Sequence, residues 1–176
     1  MSLGLQRGVV KLIPYDPEWA KIFDVEKNKI KSIFGEKALG IEHVGSTAIP
    51  GMDAKPILDL MVAVEQIENF SVFTSMLKTL GYEFRRDNRS DQEHVLYVKG
   101  PEDDRTHYLK LTTPGSSFWR EHILFRDYLI HHPEHAEEYR KLKHELLEKY
   151  SGERTNYTED KADFIKSIIK LAEQKF

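Results

Sequence analysis

Apolar residues recur along this chain in two rhythms, and the change from one to the other divides it. Trp19, Ile22, Phe23, Ile30 and Ile33 fall at near-helical spacing. Asp16-Pro17 precedes them as a cap and a first-position proline. Residues 39–44 predict a short strand. Residues 57–64 form an almost unbroken apolar run, which suits a central strand buried on both faces. Asp59 interrupts that run, and a charge there needs a partner or a purpose. Phe70, Phe73, Met76, Leu77 and Leu80 mark a second helix, and Gly81 is placed to stop it. Strands are predicted over 82–86, 93–99 and 106–112, with turn residues at 88–90 and 100–104, which together read as an antiparallel meander. After Pro114-Gly115 the pattern is helical. Ser116 or Ser117 caps a helix reaching about residue 131, and Pro133 opens another that ends near residue 150. Ser151-Gly152 breaks the chain, and a last helix runs from about Thr158. The expected architecture is a single domain over residues 1–176 of the α+β class. It has a mixed sheet flanked by helices and a helical C-terminal third.

Composition narrows the function classes. At 176 residues, with 40% hydrophobic and 31% charged residues, the chain suits one ordinary globular domain. A formal net charge of -3 argues against broad binding to nucleic acid or an acidic membrane, while permitting a local basic pocket. Cysteine is absent, which excludes disulfides, thiolate metal sites and a cysteine nucleophile. No apolar run approaches the roughly 18 residues of a spanning helix. The start of the chain lacks a signal-peptide core, because Lys11 falls within residues 9–13. The cytoplasm is the expected location.

The segment from His43 to Asp59 carries most of the chemistry. Gly45-Ser46 ends the first predicted strand. A glycine there lets backbone N–H groups approach an anion, and a serine hydroxyl adds a donor for a phosphate oxygen. Alone, the pair is more often a plain turn. Pro50-Gly51 adds a second turn, so any helix between the strands is short. Asp59, thirteen residues after Ser46, suits a cation ligand. Its other reading is a carboxylate capping a loop or paired with a basic residue from elsewhere. Lys55 lies on the same strand face, four residues away.

Read in full, His43-Val44-Gly45-Ser46-Thr47-Ala48-Ile49-Pro50-Gly51, followed by Ala54-Lys55-Pro56-Ile57-Leu58-Asp59-Leu60, resembles the signature of the GrpB family. Further matches in family order are Arg105-Thr106-His107, Ser117-Phe118-Trp119-Arg120, the run from Leu124 to Leu129, His132-Pro133, and Tyr157 with Lys161. The family is similar to the nucleotidyltransferase superfamily. That resemblance implies a sheet bearing a Gly-Ser turn, with acids on adjoining strands that clamp two metal ions against a triphosphate. The chain departs from this pattern. Ile57 and Met61 stand where a second acid belongs on the Asp59 strand, and residues 106–112 contain no acid. Many relatives carry a His-His-x-His run there, whereas this chain keeps His107 and has Tyr108 and Lys110. Alternation puts Tyr108 and Lys110 on one face and His107 on the other.

The expected site therefore has Gly45 and Ser46 on phosphate, with Lys55, Lys110, Arg120 and Lys161 neutralising its charge. Asp59 holds a cation, Mg²⁺ first among candidates, or a substrate hydroxyl. His43 and His107 orient the substrate or exchange protons. The expected ligand is a nucleotide or another phosphorylated small molecule, and nucleotidyl transfer is the reaction class. The competing expectations are a non-catalytic anion module that has lost its metal clamp, and an interaction domain with an exposed apolar stripe on its helical third. Other residues read as structural. Arg126 is expected on a solvated helix face or in an ion pair, Phe118 and Trp119 in the core, His131, His132 and His135 as a surface cluster, and residues 137–149 as a solvated helix face. The oligomeric state is open.

Overall fold

The computed structural model describes residues 3–85, 93–150 and 154–175, the side chains of 154–156 excepted. Helix α1 (Glu18–Phe34) begins where the Asp16 carboxylate accepts the Glu18 N–H at 3.0 Å. Strands β1 (Gly40–Val44) and β2 (Leu58–Ala63) follow, joined through a short 3₁₀ turn over Ser46–Ala48. Next come α2 (Phe70–Lys78), β3 (Tyr82–Arg85), β4 (His94–Lys99) and β5 (His107–Thr112). Arg86 and the turn expected at 88–90 lie outside the described residues. The chain then becomes helical, with α3 (Ser117–His131), α4 (Pro133–Lys149), α5 (Arg154–Glu159) and α6 (Ala162–Glu173). Ser116 caps α3 by accepting the Trp119 N–H at 3.1 Å, and Pro133 opens α4. The single last helix expected from Thr158 is instead two, broken at Asp160-Lys161.

The five strands form one mixed sheet in the order β1-β2-β5-β4-β3. Strands β3, β4 and β5 are the expected antiparallel meander, and β2 runs parallel to β5. Tyr108 is the register partner of Asp59, and Lys110 that of Met61.

Period-two alternation splits the sheet into two different faces. Leu58, Leu60, Val62, Leu109, Leu111 and Tyr97 project toward α1 and α2, where they meet Trp19, Phe23, Ile30, Phe73 and Leu77. This is the main core. Each such side chain contributes about 1.5–3 kcal/mol of burial. The opposite face carries Asp59, Tyr108 and Lys110 and looks toward the C-terminal helices. Those helices bury their apolar stripes largely against one another, in a cluster built on Phe125, Tyr128, Leu129, Tyr139 and Ile168. Ile49 and Met52, from the β1–β2 connection, join this second cluster and tie the helical layer to the sheet. Arg126 adds a polar tie from α3 to β1, reaching Glu42 at 2.7 Å and the His43 carbonyl at 2.8 Å.

Because the helices pack on each other and on this connection, they do not close over the polar part of the sheet. A cleft remains between the two layers. No helix among the described residues is long and apolar enough to cross a membrane. Among the exposed large apolar side chains of those residues, only Ile130 lies in the helical third, so no apolar stripe is present there.

Candidate functional site

The cleft has a volume of about 400 Å³. Its sheet side is built by the turn after β1 and by residues of β2, β5 and β4. Val44 pairs with Asp59 across the β1–β2 ladder, so the turn that follows Val44 sits beside the carboxylate. Gly45 adopts φ +72°, and a Cβ built there would lie 2.9 Å from Asp59 Oδ2 and 3.2 Å from Asp59 Cβ. Glycine is thus required twice, for the backbone conformation and for the close approach. Gly45→Ala should destabilise the fold by about 1–3 kcal/mol, read as a lower midpoint in chemical denaturation.

Asp59 is not sealed in the interior. Its side chain is 29% exposed, and both it and Ser46 line the cleft. It is also not alone, for Lys110 Nζ donates to Asp59 Oδ1 at 2.9 Å. Lys55, at the foot of β2, and Lys161, at the α5–α6 break, enter the same cleft and flank the ring of Tyr157 at 5.2 and 4.4 Å. Gly45, Ser46, Lys55, Asp59, Lys110 and Lys161 are therefore brought together as the sequence pattern implied.

Three expected site residues are placed elsewhere. His43 and His107 belong to the opposite face of the sheet. His43 stacks on Phe23 with ring centroids 4.8 Å apart, and its Nε2 meets Thr47 Oγ1 at 2.9 Å. His107 is 6% exposed, with its Nδ1 at 2.8 Å from Thr106 Oγ1. Burial lowers the pKa of each ring to about 4, so neither carries charge at neutral pH. The physical reason is strand alternation, which sends neighbours of Val44 and Tyr108 to the wrong side. Arg120 lies on the outer surface of α3, where its guanidinium pairs with Glu173 at 3.3 Å. Phe118 and Trp119 are half-buried rather than core. Phe118 stacks against His94 and His122 at 4.1 and 4.2 Å, while Trp119 packs over Gly40.

The residue that sequence reasoning missed is Lys143. It lies on α4 within the charge-rich stretch expected to be solvated, yet it is 1% exposed. Its Nζ donates to the Asp53 carbonyl, approaches Ser46 Oγ at 3.4 Å, and sits 5.0 Å over the Tyr139 ring. Desolvation lowers its pKa to about 7, assisted by the neighbouring charges of Lys161, Arg140 and Lys55, and opposed by Asp53. A signal was visible: Tyr139, Lys143 and Leu146 recur at four- and three-residue spacing and are the buried residues of α4. Lys143 thus occupies a core position in the helix's apolar stripe. Below it, His144 Nε2 contacts Asp53 Oδ2 at 2.7 Å, and Arg140 reaches the same oxygen at 3.4 Å. That network fixes the β1–β2 connection against α4.

The acids of the cleft are Asp59, held by Lys110, and Glu121 from α3. Among the described residues, no group of three or more His, Cys, Asp or Glu side chains could hold a metal ion. This donor set does not fit a resident two-metal clamp, which needs several carboxylates converging on one point.

Residues 9–171 match the family described as GrpB protein, and the chain belongs to that family. The glutamate-rich protein GrpB of Alkalihalophilus pseudofirmus is 36% identical over 170 residues, covering 95% of this chain and 98% of that protein. The crystal structure of the conserved protein GrpB from Enterococcus faecalis superposes with a TM-score of 0.84 at 32% identity, covering 94% of this chain and 98% of that one. The Cid1 poly(U) polymerase overlays more loosely, with a TM-score of 0.46 and 14% identity over 84% of this chain and 49% of its own. That distance supports no argument about chemistry.

Proposed function

We propose that the cleft binds a nucleotide or another phosphorylated small molecule, without a resident metal. One observation carries this reading. Lys55, Lys110, Lys143 and Lys161 converge on a single cleft in a chain of net charge -3. Concentrating cations against the overall charge of the molecule destabilises an empty cleft and favours an anion within it. The Gly45-Ser46 turn supplies close backbone approach and a hydroxyl for phosphate oxygens. Lys110 shares its charge with Asp59, while Lys143 is withheld from water behind Ser46. The apolar walls, which include Leu12, Phe125 and Ile165, suit the organic part of such a ligand. A cytoplasmic location belongs to the same reading.

Nucleotidyl transfer is the second reading, and the position of Asp59 beside the Gly-Ser turn favours it. A Mg²⁺ ion carried in by a triphosphate needs only one or two carboxylates from a protein. Asp59 would then hold the ion, after exchanging Lys110 for it.

Thermal shift with orthophosphate, pyrophosphate and a nucleoside triphosphate panel separates the readings, because stabilisation tracks affinity for the folded state. The proposed function expects stabilisation in EDTA, and transfer expects it only with Mg²⁺ or Mn²⁺. Lack of response in either buffer overturns both. Binding should also depend on pH. An anion beside Lys143 favours its ammonium form, so the complex takes up protons. Affinity should therefore be highest below about pH 7 and fall up to tenfold per unit as pH rises above it, measured by titration calorimetry at several pH values.

A further inference from the structure

Ser46 and Lys143 make a contact that anion binding does not require. Ser46 follows Gly45 at a sharp turn out of β1 and lines the cleft. Lys143 Nζ stands 3.4 Å from that Oγ. The amine is held by the Asp53 carbonyl and seated over Tyr139, so it cannot swing into solvent. The amine is thus buried, immobilised and aimed at a hydroxyl, which is more than contact with an anion needs. Such a pairing is one of the recurring ways in which proteins activate a serine.

We propose that Ser46 and Lys143 form a nucleophile–base pair that accepts the acyl group of a small activated ester entering the cleft. Neutral Lys143 takes the proton from Ser46 Oγ as the Oγ–carbonyl bond forms. The carbonyl oxygen carries the developing negative charge, facing the ammonium groups of Lys55 and Lys161 in the same cleft. The ester C–O bond then breaks, and the departing oxygen receives the proton from the Lys143 ammonium. Water, deprotonated in turn by Lys143, releases the acyl group as a carboxylate and restores the serine. No oxidant, metal or further reactant enters the balance. The charged groups acting on Lys143 are Lys55 and Asp53 from the β1–β2 connection, Lys161 from the α5–α6 break, and Arg140 from its own helix. Burial first, and the three cations after it, favour the neutral amine, which is the state a base requires.

The test treats the full chain, in metal-free buffer without phosphate, with an alkyl fluorophosphonate, which replaces fluoride on phosphorus with the attacking oxygen. Intact mass should show one adduct, mapped by peptide analysis to Ser46. Ser46→Ala should abolish it, and Lys143→Met should slow it at least tenfold. The wild-type rate should rise with pH through about 7. p-Nitrophenyl acetate should be turned over with the same dependence on both residues. Folding of each variant is checked by circular dichroism. The proposal is overturned if folded wild-type protein gains no adduct at Ser46, or if Lys143→Met reacts at the wild-type rate. Folded wild-type protein that gains no adduct yet shows a phosphate-induced thermal shift separates failure of this pair from failure of anion binding.

Discussion

Lys143→Met should give a protein that is more stable and binds its ligand worse. The wild-type amine is buried at 1% exposure, and its pKa is lowered to about 7 by desolvation. The unfolded chain holds a lysine of ordinary pKa. Between about pH 7 and 10.5, the ordinary value for a lysine, the unfolded state therefore binds more protons than the folded one. Wild-type stability accordingly rises with pH across that window, and the cost of the buried group is greatest at and below its lower end. Methionine fills a similar volume without a charge to desolvate. A gain of about 1–3 kcal/mol is expected near neutral pH, less than the full cost of burial because the contacts to Asp53 and Tyr139 are lost with the amine. The gain should disappear as pH approaches that of free lysine. Denaturation of both proteins from pH 6 to pH 10 reads this directly. Ligand affinity should fall at least tenfold in the variant at neutral pH. A buried group that costs stability and supports binding is what a functional site predicts. Equal stability at every pH would remove the argument that Lys143 is there for function.

Asp59 and Lys110 give the second large effect, and here the two functional readings differ in sign. The two side chains share an ion pair at 2.9 Å and are 29% and 20% exposed. Lys110→Ala leaves the carboxylate uncompensated within the cleft. Metal-free affinity for pyrophosphate should then drop by more than tenfold, equivalent to more than about 1.4 kcal/mol. Asp59→Asn removes the repulsive charge and releases Lys110 toward the ligand. Metal-free affinity should rise about three- to tenfold. If nucleotidyl transfer is the function, the same Asp59→Asn change instead abolishes the Mg²⁺-dependent gain with nucleoside triphosphates. Calorimetric titration of the two variants, in EDTA and in Mg²⁺, therefore distinguishes binding module from enzyme more sharply than either variant alone.

The legible and illegible parts of this protein separate along a physical line. Strand alternation gave the faces of β5 correctly, with Tyr108 and Lys110 together and His107 opposite. The same rule, carried across the β1–β2 register, removes His43 from the site, because Val44 is the partner of Asp59 and His43 that of Leu60 on the opposite face. The resemblance carried by these residues argued for both histidines, and local geometry argued against them. Lys143 was hidden by its neighbours. The stretch around it is dominated by charge, and only the spacing of Tyr139 and Leu146 marks its face as buried. Arg120 failed for the converse reason. Its neighbours Phe118 and Trp119 face inward, and a helix turns by about 100° per residue, so adjacency in sequence places it on another side.

Sequence by itself determined the order and type of the elements as far as α4, the main core and the Gly-Ser turn. These depend on periodicity, capping and turn stereochemistry, which act over a few residues and leave a local trace. Tertiary structure alone decided that Lys143, and not Arg120, joins the cations of the cleft, that Lys110 neutralises Asp59, and that Lys143 lies buried against Ser46. Those pairings join residues 51 and 97 positions apart. They follow from how the helical layer stacks across the sheet, and no short-range pattern in the chain records that geometry.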